Sequence, residues 1–295
     1  MRAAVLHEPG AAPVLGEFDD PSPAAGHVVV EVEAAGLNHV DLLKASGRFY
    51  AGPPPLPSVV GSDGVGRLGD GRRVFFDTVA PPYGSMAERA LVPEDALFDV
   101  AEGVETTVAA ALGNSGLAAW LALEWRAKLQ PGETVLVLGA AGAVGSAAVQ
   151  IAKHLGAGRV IAAARRAGDG VVAVDALAEA AGDGVDVIID PVWGPPAVAA
   201  MRVARHGARH VQLGHIAAET IELPAPVVRS AALNLMGMAA FHAPLDARRD
   251  AYLRLTELAA RGGVDVALDV VPLAGIAGAW ERQASGPGAK LVIRP

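Results

Sequence analysis

The sequence predicts an α/β fold in two parts, a β-rich domain followed by a doubly wound parallel sheet. Three observations lead there. The first third carries short strand-like runs separated by glycine and proline. The middle alternates fully apolar strands with helical segments. The 295-residue length suits two domains of about 100–200 residues each. Apolar residues make up 52% of the chain and aromatics only 4%, so Ala, Val and Leu must fill the cores. That composition suits helices laid on a parallel sheet.

In the first third, Val28–Glu33 reads as a strand ending in alternation, and Val74–Phe76 and Ala87–Val92 as further short strands. Pro53–Pro57 cannot be helical and is expected to be a loop or extended arm. From Glu105 the pattern changes. Thr107–Leu112 and Ser115–Leu129 are expected as helices, broken by Pro131-Gly132. Thr134–Leu138 is a fully apolar strand, Ala143–Leu155 a helix closed by Gly156, and Arg159–Ala164 a second apolar strand. Val185–Ile189 and His210–Leu213 read as two more. Helix Ala247–Arg261 then precedes two β-like pieces, Val264–Val271 and Lys290–Ile293, which could return to the first domain. The expected division is 1–113 with 245–295 against 114–244. The segment 166–170 is too short for the helix of an ordinary parallel crossover, so Val171–Val174 is expected to pair as a hairpin or to stay outside the sheet.

The formal net charge of −8 argues against general nucleic-acid binding, which needs a basic face. Without any cysteine, disulfides and thiolate zinc sites are excluded. The apolar run at the N-terminus is too short for a signal-peptide core. The stretch around Ala231–Phe241 falls well below the ~18 residues of a membrane span, so no membrane association and a cytoplasmic location are expected.

The strongest motif is Gly139-Ala-Ala-Gly142-Ala-Val-Gly145. It follows an apolar strand and opens a helix, the context a dinucleotide fingerprint requires. Gly142 would let the backbone approach a pyrophosphate, Gly145 would let helix and strand pack closely, and the free N–H groups of the first turn would face the phosphates. Ala140 stands where the usual pattern has its first glycine. About 20 residues on, an NAD site wants an acid for the ribose 2′-hydroxyl. Here the second strand ends in Arg165-Arg166, and two guanidiniums suit a 2′-phosphate. NADP(H) is therefore the expected cofactor.

Four blocks give the chain a family resemblance. They are Ala34–Asp41 with Gly36, Asn38 and Asp41; Ser46–Tyr50 with Gly61–Gly66; Ala110–Trp120; and Pro131–Val137 with Gly139–Gly145. The ending Ala289–Pro295 continues the pattern. Together they resemble the medium-chain dehydrogenase/reductase superfamily, in its zinc-free quinone oxidoreductase branch. The resemblance implies a GroES-like catalytic domain, a Rossmann domain, a site in the cleft between them and a homodimer. It also implies hydride transfer from NADPH to a quinone or an α,β-unsaturated carbonyl. Gly61-Ser62-Asp63 stands where zinc members carry a His-Glu block. A Thr that members often place near the nicotinamide is Ala118 here, with Asn114 and Ser115 just upstream. The segment Gly66–Val74 is shorter than usual.

The resemblance implies catalytic roles for Asn38, Tyr50 and Asp41. Asn38 could donate to a substrate carbonyl or a cofactor ribose, and Tyr50 to a developing enolate or quinol oxygen. The bland alternatives are a helix cap at Asp41 and a packed loop aromatic at Tyr50. The cofactor set implied is Asn38, Asn114, Ala140, Gly142, Ala143, Val144, Arg165, Arg166, Gly214, His215 and Lys290. Gly214 and His215 follow a strand at its carboxyl end, where ligands sit in such sheets. His206 and His210 have a spacing that would suit zinc on a helix, but Gly207 between them is expected at a helix end. His39 reads as a surface residue. A short-chain dehydrogenase is excluded, because no tyrosine is followed four residues on by lysine. The rival of a different class is a protein that binds NADPH as a sensor or structural element without useful catalysis, and Ala118 keeps it open.

Overall fold

The computed structural model describes residues 1–50, 52–286 and 288–295. The chain divides into two compact units. One holds Met1–Asn114, Tyr252–Gly262 and Val266–Pro295, the other Ser115–Ala251 and Gly263–Asp265. The C-terminal return thus begins at Tyr252 rather than at residue 245.

In the first unit β1 (Arg2–Leu6) lies between β2 (Val14–Glu17) and β4 (Ser58–Val59) in a small antiparallel sheet. The larger sheet is organised by β3 (His27–Gly36), whose ten residues pair with three other strands. These are β5 (Gly64–Arg67), β7 (Arg89–Pro93) and β16 (Lys290–Arg294). β6 (Arg73–Phe76), β8 (Leu97–Asp99) and β15 (Leu268–Pro272) complete it. Short helices α1 (His39–Ala45) and α8 (Ile276–Ser285) belong to the same unit. The alternation of β3 buries Val30, Val32 and Ala34 to Gly36, and its apolar set joins Leu37, Phe76, Leu291 and Trp280 in one core. The shortened segment after Gly66 forms a direct hairpin, closed by Leu68 N–H donating to Arg72 O at 3.0 Å.

The two helices expected on either side of Gly113 are one helix, α2 (Thr106–Leu121), continued by a π-helical turn over Ala122–Arg126. Gly113 does not interrupt it. A Cβ there would lie 2.4 Å from the Phe75 ring and 2.8 Å from Asp63 Oδ2, so the missing side chain lets the helix approach the sheet. Thr106–Arg126, not the stretch near Ala231, is the one helix among the described residues long and apolar enough to cross a membrane. Of its apolar window, 72% is buried inside the protein, which is the environment its composition matches.

The second unit is a six-stranded, all-parallel sheet in the order β11-β10-β9-β12-β13-β14. Its strands are β9 (Thr134–Leu138), β10 (Arg159–Ala164), β11 (Val171–Ala173), β12 (Val185–Asp190), β13 (Ala204–Gln212) and β14 (Asn234–Gly237). Helices α3 (Ala143–His154), α4 (Leu177–Ala181), α5 (Gly194–Arg202) and α6 (Ala225–Ser230) lie in its connections; α7 (Leu245–Ala260) follows the last strand. β9 is buried at all five positions, as a central strand covered on both faces must be.

Two expectations are corrected here. β11 is a sheet strand and runs parallel to β10, although only Arg165–Gly170 connect them. Its three residues pair with Ala162–Ala164, the last three of β10. The chain therefore steps back only about two residues, roughly 7 Å at the ~3.3 Å rise of a strand. Gly168, Asp169 and Gly170 all take positive φ to make that reversal. Second, β13 starts at Ala204, not at His210, and Gly207 lies within it rather than at a helix end. The pairing with β12 jumps from Val185↔Ala204 to Val187↔Arg209, so His206 and Gly207 bulge outward and are exposed.

Gly113→Ala should lower stability. Alanine gains about 1 kcal/mol of helix propensity over glycine. Overpacking against the Phe75 ring and the buried Asp63 carboxylate should outweigh it, leaving a net loss of about 1–3 kcal/mol. Urea unfolding checks this, and an unchanged or raised midpoint would show the contact to be soft.

Candidate functional site

Two arrangements of polar groups stand out, one in each unit. In the first, β3 ends at Gly36 and α1 begins shortly after it. Asp41 Oδ2 accepts from the Asn38 backbone N–H at 2.8 Å, and Asp41 Oδ1 accepts from Ser62 Oγ–H at 2.6 Å. Asp41 therefore serves the capping of α1 as its third residue, its carboxylate reaching back to the N–H of the N-cap, Asn38. Lys44 Nζ donates to Ser62 Oγ at 2.8 Å and lies 5.5 Å from the Phe49 ring centre.

Asn38 is buried, and its amide is committed. Nδ2 donates to Asp63 Oδ1 at 2.6 Å and to Gly36 O at 3.1 Å, while Oδ1 accepts from Lys290 Nζ. Both amide hydrogens are used inside the protein, so Asn38 has none left for a carbonyl or a ribose. Lys290, at the start of β16, also donates to Leu37 O at 2.9 Å and is buried. It is a tie between chain segments and is not exposed to a ligand. Asp63 was outside the sequence-derived site set, yet it sits at the centre of this network. Its Oδ2 is buried without a hydrogen-bond partner. Burial pushes its pKa up to about 7, with nearby Asp41 adding to the rise and Lys290 and Lys44 opposing it. Burial lowers the pKa of Lys290, against the pull of Asp63 and Asp41. Tyr252 donates to Ala109 O at 3.0 Å, and its ring stacks on Phe75 at 4.1 Å. Its pKa is driven up by burial and then by Asp63.

Tyr50 lies outside this network. It is 72% exposed, and its ring tilts against Phe49 at 4.0 Å. The slight burial it has raises its pKa. His39 is exposed on the first turn of α1, and Asn114 is half-buried within α2.

In the second unit the order of strands reverses between β9 and β12, the switch point where ligands bind in such sheets. The glycine turn sits there. Gly142 is the N-cap of α3, and its N–H donates to Gly139 O at 2.9 Å. A Cβ on Gly145 would lie 2.2 Å from Gly139 O, so glycine is required for helix and strand to meet. A Cβ on Gly142 would meet only Gly139 O, at 3.4 Å, so the space in front of Gly142 is open. Ala140 is buried, whereas Ala143 and Val144 are half-buried on the first helical turn. The N–H groups of that turn have no partner within the helix. Arg165 and Arg166 are exposed at the carboxyl end of β10.

The carboxyl ends of β12 and β13 carry a second buried pair. Asp190 Oδ2 and His210 Nε2 lie 2.8 Å apart, both fully buried. A carboxylate only accepts, so Nε2 carries the proton. Asp190 Oδ1 accepts from the N–H groups of Val192 and Trp193 at 2.9 and 2.7 Å. Trp193 takes φ 57° and ψ −158°, at the border of a region populated essentially by glycine, a conformation costing about 1–3 kcal/mol. Gln212, His215, Glu219, Leu235 and Gly237 line, with Trp193, a cavity of about 410 Å³. Gly214 O accepts from Gln212 Nε2 at 2.9 Å, and His215 is exposed at the cavity rim. Asp190 and Trp193 were missed in the sequence. The available signal was an acid closing the apolar strand Val185–Asp190 just before Pro191.

Asp63 gives a pH prediction. An acid whose folded pKa is raised holds a proton that the unfolded chain has already released. Its contribution to stability is lost as pH rises from about 4 to about 7. Asp63→Asn keeps the acceptor for Asn38 Nδ2 and cannot titrate. Its denaturation midpoint should fall less steeply than the unmodified protein's over that window. Parallel slopes for the two proteins would contradict a proton on Asp63.

A family model described as zinc-binding dehydrogenase matches residues 155–292. A quinone oxidoreductase-like protein 2 homolog from Nematostella vectensis is 36% identical over 176 residues, 56% of this chain and 47% of that protein. The quinone oxidoreductase-like protein 2 of Bos taurus is 32% identical over 254 residues, 77% of this chain and 72% of that protein. Among solved structures, the quinone oxidoreductase of Thermus thermophilus, described also in complex with NADPH, superposes with a TM-score of 0.86. It is 32% identical, with both chains covered in full. With the reversing sheet order and the glycine turn at its switch point, these likenesses show that the chain belongs to the quinone oxidoreductase branch of the medium-chain dehydrogenase/reductase superfamily.

Proposed function

We propose that the protein is an NADPH-dependent reductase of quinones or α,β-unsaturated carbonyls that works without a metal. The observation carrying the cofactor reading is the turn at β9–α3. Gly145 is required for packing and Gly142 is not, which leaves open space in front of free helical N–H groups. Ala143 and Val144 would hold the pyrophosphate, and Arg165 and Arg166 the 2′-phosphate. When bound, the dinucleotide supplies the hydride. The chain's own contribution is orientation, because hydride transfer is sensitive to approach geometry.

The first unit supports the metal-free reading through its donor set. The chain has no cysteine, and Asp41 and Asp63 share their pocket with two ammonium groups, Lys44 and Lys290. A zinc ion there would meet resident cations, so these residues do not fit zinc. Asn38 and Asp41 then act as positioning residues that fix the start of α1. Tyr50 is the exposed hydroxyl donor near that helix, and its exposure favours a minor effect of Tyr50→Phe. The reading of binding without catalysis rests on the apolar Ala118, half-buried on α2. NADPH oxidation with a naphthoquinone separates the two.

Binding should favour NADPH over NADH. Replacing both Arg165 and Arg166 by Ala should weaken NADPH at least about tenfold and barely change NADH, since a hydrogen bond to a charged group contributes about 1.5–3 kcal/mol. Fluorescence titration of the two cofactors tests this, and equal affinities in the unmodified protein would defeat it. Purified protein should contain no stoichiometric zinc and keep its activity in chelator. Zinc lost in step with activity would overturn the metal-free reading.

A further inference from the structure

The Asp190–His210 pair anchors a loop whose shape nothing in the dinucleotide reading explains. Asp190 closes β12 and uses both carboxylate oxygens. One fixes the His210 imidazole; the other holds the backbone N–H groups of Val192 and Trp193. The loop is pinned again by Ala217 N–H donating to Val192 O at 2.8 Å. These bonds hold a bulky aromatic residue in a backbone conformation that side chains rarely adopt. A chain that needed only the turn would be better served by glycine, so the indole itself is what the loop presents. The ring meets the His210 imidazole edge-to-face, with centres 6.1 Å apart at 84°. His210 cannot swing away, because it is fully buried and tied to Asp190. The indole also packs beside Ala197 and Met201, so it is backed by protein. It is half-buried and lines the cavity of about 410 Å³. The cavity is open on one side, so a flat ligand would lie against the exposed indole face and not be enclosed. The remaining lining is mixed: Leu235 and Gly237 are apolar, Glu219 brings a carboxylate that only accepts, and His215 with the second amide hydrogen of Gln212, whose first is held by Gly214 O, brings N–H donors suited to a carbonyl oxygen.

We propose that Trp193 is the platform of a binding site for a flat fused-ring quinone, an aromatic ring joined to a conjugated ring bearing carbonyl oxygens, with the indole held in place by the Asp190–His210 pair. This deepens the hydride-transfer reading and rests on it for the site's role in turnover. Ring binding itself does not depend on turnover, so the two can fail separately. An aliphatic enone such as 2-cyclohexenone has no aromatic ring and only a small π-face, so it gains little from the indole and the site discriminates by the extent of the flat ring system.

The test uses the indole N–H signals of Trp120, Trp125, Trp193 and Trp280 in the full chain, with the Trp193 signal assigned by its loss in Trp193→Phe. Menadione is the probe, and with no cysteine present it cannot add to a thiol. The Trp193 signal should move saturably with menadione, the other three should stay, and 2-cyclohexenone should leave all four unmoved. In turnover, Trp193→Ala should raise KM for menadione roughly tenfold with kcat and KM for NADPH little changed, and Trp193→Phe should restore most of the loss. A Trp193 signal that stays still, that moves no more than the other three, or that responds equally to 2-cyclohexenone would overturn the proposal. Absence of NADPH oxidation with menadione would defeat the reductase reading instead, and the titration would still decide the site.

Discussion

Burying the Asp63 carboxylate constrains the whole first unit. A carboxylate taken out of water must be neutralised or paired. Here the compensation comes from residues far apart in the sequence. Asn38 follows the central strand, Lys290 opens the last strand, and Gly113 leaves room for the second oxygen. One side chain thus sets where the start of α1, the last strand and α2 must meet. The same network explains why Asn38 and Asp41 look functional in the sequence yet turn inward. Their polar atoms are used in holding α1 against the sheet.

The second unit meets its constraint differently. Its sheet is apolar and parallel, so specificity is left to the carboxyl ends of the strands. At β9 the requirement is absence of side chains, which lets α3 start close to the strand. At β12 the requirement is an acid, which organises the next loop through two backbone bonds and one imidazole. The acid is buried while the glycine turn opens to solvent at Gly142, and both leave a residue of positive φ, Gly139 and Trp193, at the same end of the sheet. The short β10–β11 connection belongs to that end too. It dispenses with a crossover helix because β11 begins level with the last residues of β10.

Much of this fold was legible in the residues. Apolar runs such as Thr134–Leu138 have one stable environment, the interior of a parallel sheet, and the helix after Gly142 follows from its period and from Gly156. The glycine turn was legible because glycine spacing reports backbone geometry directly. Where reading by pattern failed, distance in three dimensions decided. Thr107–Leu112 and Ser115–Leu129 were read as two helices, since the partner that accounts for Gly113 between them, Phe75, lies far off along the chain and only folding brings the two together. The segment 166–170 looked too short for a parallel connection, since register between strands cannot be read from loop length. Gly207 looked like a helix end, and it is a bulge whose need arises from the partner strand.

By itself, then, the sequence determined the two-part architecture, the parallel sheet and the glycine turn between β9 and α3, because each rests on local periodicity or on glycine at fixed spacing. Tertiary structure decided the fate of the polar residues. Whether an Asn donates to a ligand or to a buried Asp depends on which hydrogen-bonding groups surround it, and those come from Asp63 beside β5 and Lys290 on β16. Whether a Trp is core or platform depends on what backs it and what it leaves open, and that is set by Asp190 and His210 from two neighbouring strands. A side chain's chemistry is written in its identity, but its direction is fixed only when the chain closes around it.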